Sequence, residues 1–516
     1  MPATPPPTAN NAPVYAVWVL AATILGSSIA NIDTTVVNVA LPVMQTDLHA
    51  AASALQWVIE AYSLFLSALI LVGGSLGDRL GRRKVFAAGI GIFAVASMAC
   101  SLAPNIDFLI AFRAFQGIGG ALLVPGSLAI ITSCFDESTR GRAIGTWAGF
   151  SSITTAIGPV VGGWLVQHAS WRWVFFMNVP LAALTIAIVF WQVPESRDWA
   201  IEGPLGWLGA VLVTVGLGAI VFGLIQADNL GLTAPLVLIA LVLGIVALAA
   251  FVFNESRSPS PMMPLGIFRS PTFSGANLLT LFLYGALGGS LYFFPFDLQQ
   301  VQGASATVAG AAFLPFPIII FVLSRWTGGL VSRYGAKKPL IVGPVITAAG
   351  FALFAVPDIG GSYWTTFFPA VVVLSLGMSV VIAPLTTAVM SALSANVSGV
   401  ASGVNNAVAR AASLLAIAVL GLIVVTIFNS ALDTHLADLH VSPRVRHAVI
   451  AQRSKLVGAP LPRHISPRLR AQLHRALQQS FVSGFRAAML LAAFLALCSA
   501  LFSVWLIDGK PARADS

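Results

Sequence analysis

Long apolar runs alternate with short polar breaks along almost the whole chain. Fourteen such runs fall near 14–41, 54–76, 84–103, 106–132, 141–166, 171–193, 206–226, 233–253, 272–299, 305–331, 337–356, 363–390, 400–428 and 480–506. A helix needs about 20 mostly apolar residues to cross the hydrocarbon core of a bilayer. The pattern therefore predicts an all-α membrane protein with fourteen transmembrane helices, and little chain remains for a soluble domain. What remains is the Pro/Ala/Asn-rich Met1–Pro13, expected to be disordered, the segment 429–479, and a tail at 507–516.

The breaks are not all alike, because one of them recurs. Gly74-Ser75-Leu76-Gly77-Asp78-Arg79-Leu80-Gly81-Arg82-Arg83 separates the second run from the third. At 254 positions further on, Gly328, Leu330, Arg333, Gly335 and Lys337 stand at the places of Gly74, Leu76, Arg79, Gly81 and Arg83, while Ser332 replaces Asp78. Two matching basic, glycine-punctuated turns point to an internal duplication. Repeats arranged around a central site are the usual plan of secondary transporters.

Composition agrees. Hydrophobic residues make up 57% and charged residues 9%, with a mean hydropathy of +0.89, whereas a soluble domain is roughly one-quarter charged. The net charge of +9 then belongs to basic loops, since no basic domain is left to carry a nucleic-acid face. With the N-terminus in the cytoplasm, the cytoplasmic loops and tail hold 14 Lys and Arg, and the short outer loops hold only Arg172. That asymmetry sets the orientation, with both termini inside. The segment 429–479 objects, because it must lie outside yet carries eight Lys and Arg. It reads as an extracellular cap, with stretches such as Ser466 to Gln479 as short amphipathic helices. Met1–Pro13 lacks the basic residues of a signal peptide, so the first helix is expected to stay.

Several chemistries are excluded or disfavoured. Cys100, Cys134 and Cys498 imply no disulfide framework, and no histidine lies deep in a run. There is no Gly-x4-Gly-Lys-Ser/Thr loop, so ATP does not drive the protein directly. No metal-ligand or nucleophile constellation suggests an enzyme or a cofactor.

The charges inside the runs carry the mechanistic expectation, because each costs several kcal/mol without a partner or water, by a rough estimate. Asp33 and Arg113 each lie about 12 Å below the outer boundary at 1.5 Å per residue, and Glu60 is only slightly shallower. Two acids and one base at a common depth are expected to cluster and to load and release a proton, since burial favours the neutral carboxyl and a nearby arginine the charged one. A static ion pair is the bland alternative for Asp33 and Arg113. Arg410, well inside the thirteenth run, is expected to be a packing hydrogen-bonder, with contact to a ligand as the alternative. Asp297 is expected to be solvated. Tyr284, Tyr292, Phe293, Phe294 and Phe296 could stack on a flat cationic ligand or simply belt the membrane interface.

The turn 74–83 resembles the signature between the second and third helices of the major facilitator superfamily. Ile32-Asp33-Thr34-Thr35-Val36-Val37-Asn38-Val39-Ala40-Leu41-Pro42 resembles the first-helix signature of its fourteen-span drug:proton antiporters. The resemblance continues through Trp57 to Tyr62, Arg113 to Gly117, Trp171-Arg172-Trp173, Leu298 to Gly303 and Gly399 to Asn406. It implies the major facilitator fold as 6+2+6 helices: bundles at 14–193 and 272–506, with two inserted helices and linkers at 194–271. It implies proton-coupled efflux of hydrophobic, often cationic, drugs across the inner membrane, with the proton gradient as energy source and Asp33 as the coupling acid.

It further implies a conformational latch at Gly74, Asp78, Arg79, Gly81, Arg82 and Arg83. Gly145, Gly158, Pro159, Gly162 and Gly163 resemble the antiporter motif, although Thr154 stands where that motif expects glycine; generic close packing of small residues is the alternative. The implied partners are the lipid bilayer, small hydrophobic molecules and protons, with the protein acting as a monomer or with a periplasmic adaptor. Two other functions remain open at this point: export of one endogenous metabolite such as an antibiotic or siderophore, and ligand sensing without transport.

Overall fold

In the computed structural model, residues 12–197, 206–258, 261–393, 398–462 and 464–508 are described. The expected tails 1–13 and 507–516 fall largely on residues 1–11 and 509–516, which lie outside the described residues. Among the described residues, fourteen helices are long and apolar enough to cross a membrane. They are α1 (Ala16–Asp47), α2 (Ala52–Leu80), α3 (Arg82–Ser101), α4 (Ile106–Cys134), α5 (Arg142–His168), α6 (Trp173–Gln192), α7 (Trp207–Ala227), α8 (Pro235–Arg257), α9 (Pro271–Val301), α10 (Ala306–Leu323), α11 (Lys337–Phe354), α12 (Tyr363–Ser391), α13 (Val400–Asp438) and α14 (Pro467–Leu506).

The predicted number is met, but one boundary expectation is corrected. Ser466 to Gln479 is not a separate amphipathic helix. Ser466 caps Leu469 N, and the helix runs unbroken over Pro467–Leu506. With α13 reaching Asp438, only 439–466 is left between the last two helices, as the short helix Pro443–Ile450 and the turn Arg453–Gly458. Two spans are interrupted where proline removes a backbone donor. The sixth breaks at Met177 ahead of Pro180, and the tenth at 312–314 ahead of Pro315.

Helices α1–α6 pack as one bundle and α9–α14 as a second. The seam between them is made by α2 against α13, α5 against α10, and α1 against α9. Exchanging the halves maps the first of these contacts onto the second, as a duplicated chain requires. The repeat also holds at the backbone, since Gly81 (φ 111°) and Gly335 (φ 71°) both take the positive φ that favours glycine. The side chains of Leu330, Ser332 and Arg333 lie outside the described residues, as do the surroundings of Gly328. The hairpin α7–α8 lies on the outside of the α2–α13 seam, where Leu217, Val221 and Ile225 meet Leu64, Leu414 and Ala418.

The turn 77–84 marks one end of the bundle, the basic end; residues 439–466 mark the other, the cap end. The halves are tied together at the cap end. Gln299 Nε2 donates to Val39 O (2.9 Å), Gln300 Nε2 to Gln45 Oε1 (2.8 Å), and Gln45 Nε2 to Lys455 O (3.1 Å).

Candidate functional site

The centre of the first bundle is polar. Asp33 on α1 and Arg113 on α4 are both fully buried, and Arg113 Nη1 donates to Asp33 Oδ2 at 2.5 Å. The other carboxylate oxygen accepts from Gln116 Nε2 (2.9 Å) and Asn178 Nδ2 (3.2 Å). Both amides also reach Ser97 Oγ, whose hydroxyl donates to Phe175 O. Arg113 is held further by Val58 O and Gln116 Oε1, and its guanidinium lies 4.4 Å from the Tyr62 ring centre. Side chains from α1, α3, α4 and α6 thus form one connected network, in which Arg113 Nη2 and Asn178 Oδ1 have no partner among the described residues. Such a pair is retained only where hydrogen bonds compensate the removal of charge from water.

Glu60 departs from the expected cluster. It is fully buried on α2, yet neither carboxylate oxygen has a hydrogen-bond partner among the described residues, and Arg113 does not reach it. It faces the second bundle, where Tyr292 lies within its electrostatic reach. One turn away on the same face of that helix, Gln56 presses on Gly421 of α13. The expected trio is therefore a hydrogen-bonded ion pair plus a lone acid on the seam.

Asp297 is corrected from solvated to buried. It sits in the π-helical turn that ends α9, is 1% exposed, and accepts from Gln302 Nε2 at 3.3 Å. Gln302 also bonds Asp358 O and Gly360 N. Arg486 of α14 bonds Pro357 O and pairs with Asp358, so this knot lies wholly within the second bundle. The aromatic run is corrected as well. Tyr292 is buried against Phe293 and Phe296, and Phe294 against Phe313, Phe354 and Phe367. These rings are core. Tyr284 is half-buried, and its carbonyl accepts from Ser413 Oγ on α13.

The basic turn is fixed within its own half. Asp78 accepts from Arg82 Nε (2.9 Å) one helical turn on. Glu195, just after α6, takes Arg83 N, and Arg82 N donates to Ser196 O. Glu195 also fills the space that a side chain at Gly81 would need. Gly74 lies beside Pro125 of α4, and Arg79 is half-buried.

The α5 glycines work at two contacts. Side chains at Gly158 and Gly162 would strike Thr35 and Val36 of α1. Gly163 lies on the backbone of Ala306, and Gly310 on the carbonyl of Pro159, so two backbones meet across the seam at the cap end. Gly145 has open space around it. Sequence reasoning missed Ser97, Gln116 and Asn178.

Residues 23–417 match the model of the Major Facilitator Superfamily. The chain belongs to this superfamily. It is a multi-pass membrane transporter of the major facilitator fold. The tetracenomycin C resistance and export protein of Streptomyces glaucescens is 33% identical over 500 residues, covering 95% of this chain and 92% of that protein. The multidrug resistance protein Stp of Mycobacterium tuberculosis is 33% identical over 92% of this chain and 88% of its own length. The multidrug efflux pump LfrA of Mycolicibacterium smegmatis is 31% identical over 96% and 97%. Among solved folds, a bacterial homolog of the human lysosomal transporter Spinster superposes with a TM-score of 0.63 at 17% identity, over 96% of this chain and 97% of that one.

Proposed function

We propose that this transporter expels hydrophobic small molecules from a bacterial cytoplasm across the inner membrane, exchanging them for protons by alternating access. Both termini and the basic end then face the cytoplasm, in keeping with the Lys/Arg distribution, and the cap end faces outward. The names of its relatives, among them export and multidrug efflux proteins, support the direction of transport. The observation that carries the coupling is the contrast between the two central acids. Asp33 is neutralised and hydrogen-bonded inside one half, while Glu60 lies on the seam without a partner among the described residues.

An ionised carboxyl in such a place is costly. A proton on Glu60 therefore favours the arrangement closed at the cap end, and its loss favours one that wets the seam. Asp33 stays the second coupling candidate, because its pair sits directly behind the seam. The latch at the basic turn and the α5 glycines would set the rates of the rocking motion. The protein acts alone, or delivers its cargo to a periplasmic adaptor. The energy comes from the proton gradient, with no cofactor.

Dye efflux from cells or inverted vesicles, with and without a protonophore, tests the reading. Uphill efflux should occur and collapse with the gradient; flux that ignores the protonophore would refute coupling. Asp33→Asn and Glu60→Gln separate the two acids. The coupling residue is the one whose amide still binds cargo but no longer drives uphill flux. A second reading, a pump dedicated to one compound, has a relative named for tetracenomycin C in its favour; resistance to a single compound in a broad panel would select it.

A further inference from the structure

Arg410 lies ten residues into α13, in the middle of the membrane-spanning layer. Unlike Arg113, it has no hydrogen bond and no ion pair among the described residues. Its neighbours on α13 are used for packing. Asn405 Nδ2 donates to Asn277 Oδ1 (3.2 Å) and Thr280 Oγ1 (2.8 Å) on α9, and Ser413 Oγ donates to Tyr284 O (3.2 Å). Gly285 and Gly288 let α9 approach the backbone at Ala412 and Ser413. Helix α13 is therefore fixed one turn before and one turn after Arg410, while the arginine itself takes no part in the fixing. The packing role expected from the sequence falls to its neighbours.

Arg410 is partly exposed and stands on the α2-facing side of α13, since Gly403 and Gly421, two turns before and three turns after it on the same face, pack on Leu71 and Gln56 of α2. Tyr62 of α2 is close enough to interact electrostatically with Arg410, and it also neighbours Thr34 of α1. Thr34 is exposed although it stands mid-helix next to the buried Asp33. Asn406, one turn from Arg410 toward the basic end on the same face, is exposed too. Exposed polar positions thus flank Arg410 between the halves, at Asn406 on α13 and Thr34 on α1. The Tyr62 ring stacks on Arg113 and stands between the neutralised Asp33–Arg113 pair and the second half. Arg410 is left as the uncompensated positive charge between the halves. Its guanidinium carries five donors and no acceptor, and a bare charge at this depth is tolerated where it faces water or a ligand.

We propose that Arg410 binds the cargo directly and selects molecules that present a carboxylate, phenolate or carbonyl oxygen on an apolar body, discriminating against quaternary ammonium compounds. The proposal rests on the exporter reading above and names its substrate class. It runs against the cation preference that the family resemblance implies, because a permanent cation would meet an uncompensated arginine and gain no hydrogen bond from it. An acidic or carbonyl oxygen would take one or two of the guanidinium donors.

The test uses purified full-length protein and three matched fluorescent probes: pyrenebutyric acid, its methyl ester, and a pyrenebutyl-trimethylammonium salt. In equilibrium binding, wild type should favour the acid over the ammonium by at least about tenfold, the usual range for a charge-assisted hydrogen bond, with the ester between. Arg410→Gln should weaken the acid about 10- to 100-fold and leave the ammonium unchanged or tighter; Arg410→Lys should keep part of the preference. Equal wild-type affinity for acid and ammonium would overturn the assignment. So would an equal loss for all three probes in Arg410→Gln, which marks a merely structural arginine. If Arg410→Gln does not fold, the wild-type order and the Arg410→Lys ratio still decide. Vesicle flux of the preferred probe judges the exporter reading separately. Selective binding without uphill flux would sink that reading and leave Arg410 as the acid-selecting residue.

Discussion

Replacing Arg113 by methionine removes the central cation while keeping most of its volume. Asp33 would keep Gln116 and Asn178 on Oδ1 but lose its partner on Oδ2, and Val58 O and Gln116 Oε1 would each lose a donor. Breaking a buried pair from one side costs about 3–5 kcal/mol. At about 1.4 kcal/mol per tenfold, that is roughly two to three and a half powers of ten in the folding equilibrium. Replacing both partners, as Asp33→Leu with Arg113→Met, removes the stranded charge and should recover most of the loss. The assay is unfolding of the purified protein in detergent for wild type, the two single variants and the double variant. Their coupling energy isolates the pair. Efflux should be lost in all three variants, so stability and transport separate in the double one. A near-additive cycle, or an Arg113→Met protein as stable as wild type, would refute the reasoning, because it would mean that the ion pair is not what makes these groups tolerable in the core.

Three shorter predictions follow from other parts of the molecule. With Cys100, Cys134 and Cys498 replaced, Ser442→Cys should react with an impermeant thiol reagent in intact cells, since Ser442 is exposed at the cap end; labelling only after permeabilisation would invert the topology. Asp78→Asn should leave drug binding near wild type while turnover falls about tenfold or more, from loss of a charge-assisted contact worth about 1.5–3 kcal/mol; weakened binding at unchanged turnover would contradict it. Gly310→Val should keep the two backbones apart at the cap end and shift the protein toward an outward-open form. Accessibility of a cysteine at Gln300 to external reagent should rise, and an unchanged labelling rate would show that the contact is not a seal.

Much of this architecture was legible in the chain because membranes enforce simple rules. Apolar length gave fourteen helices, and the repeated turn gave two halves, down to the positive φ at Gly81 and Gly335. Asp33 and Arg113 stood out because charge in an apolar run demands compensation. Their supporting amides did not. Gln116 lies inside a run already noticed for its arginine, and Ser97 is one small residue among many. Asn178 had a weak signal, an amide two residues before Pro180 in an apolar stretch. Asp297 was misjudged because its burial comes from Gln302, the loop after α11 and α14, which no local pattern can report. The aromatic run near Tyr292 was misjudged for a related reason, since which rings face a cavity depends on neighbours far away in sequence. The continuous α14 was hidden because its first three turns are polar enough to look like a separate element.

The α7–α8 hairpin touches α2 in one half and α13 in the other, and those halves must move against each other in every transport cycle. Among the described residues, no hydrogen bond or ion pair joins the hairpin to either partner; the contact is Leu64, Leu217, Val221, Ile225, Leu414 and Ala418. Aliphatic surfaces of this kind hold by contact area alone and have no preferred register to break. The hairpin therefore behaves as a greased bearing on one flank of the machine. It can keep lipid out of the α2–α13 seam while the halves slide beneath it, and among the described residues no helix hairpin covers the opposite flank, at α5 and α10, in the same way.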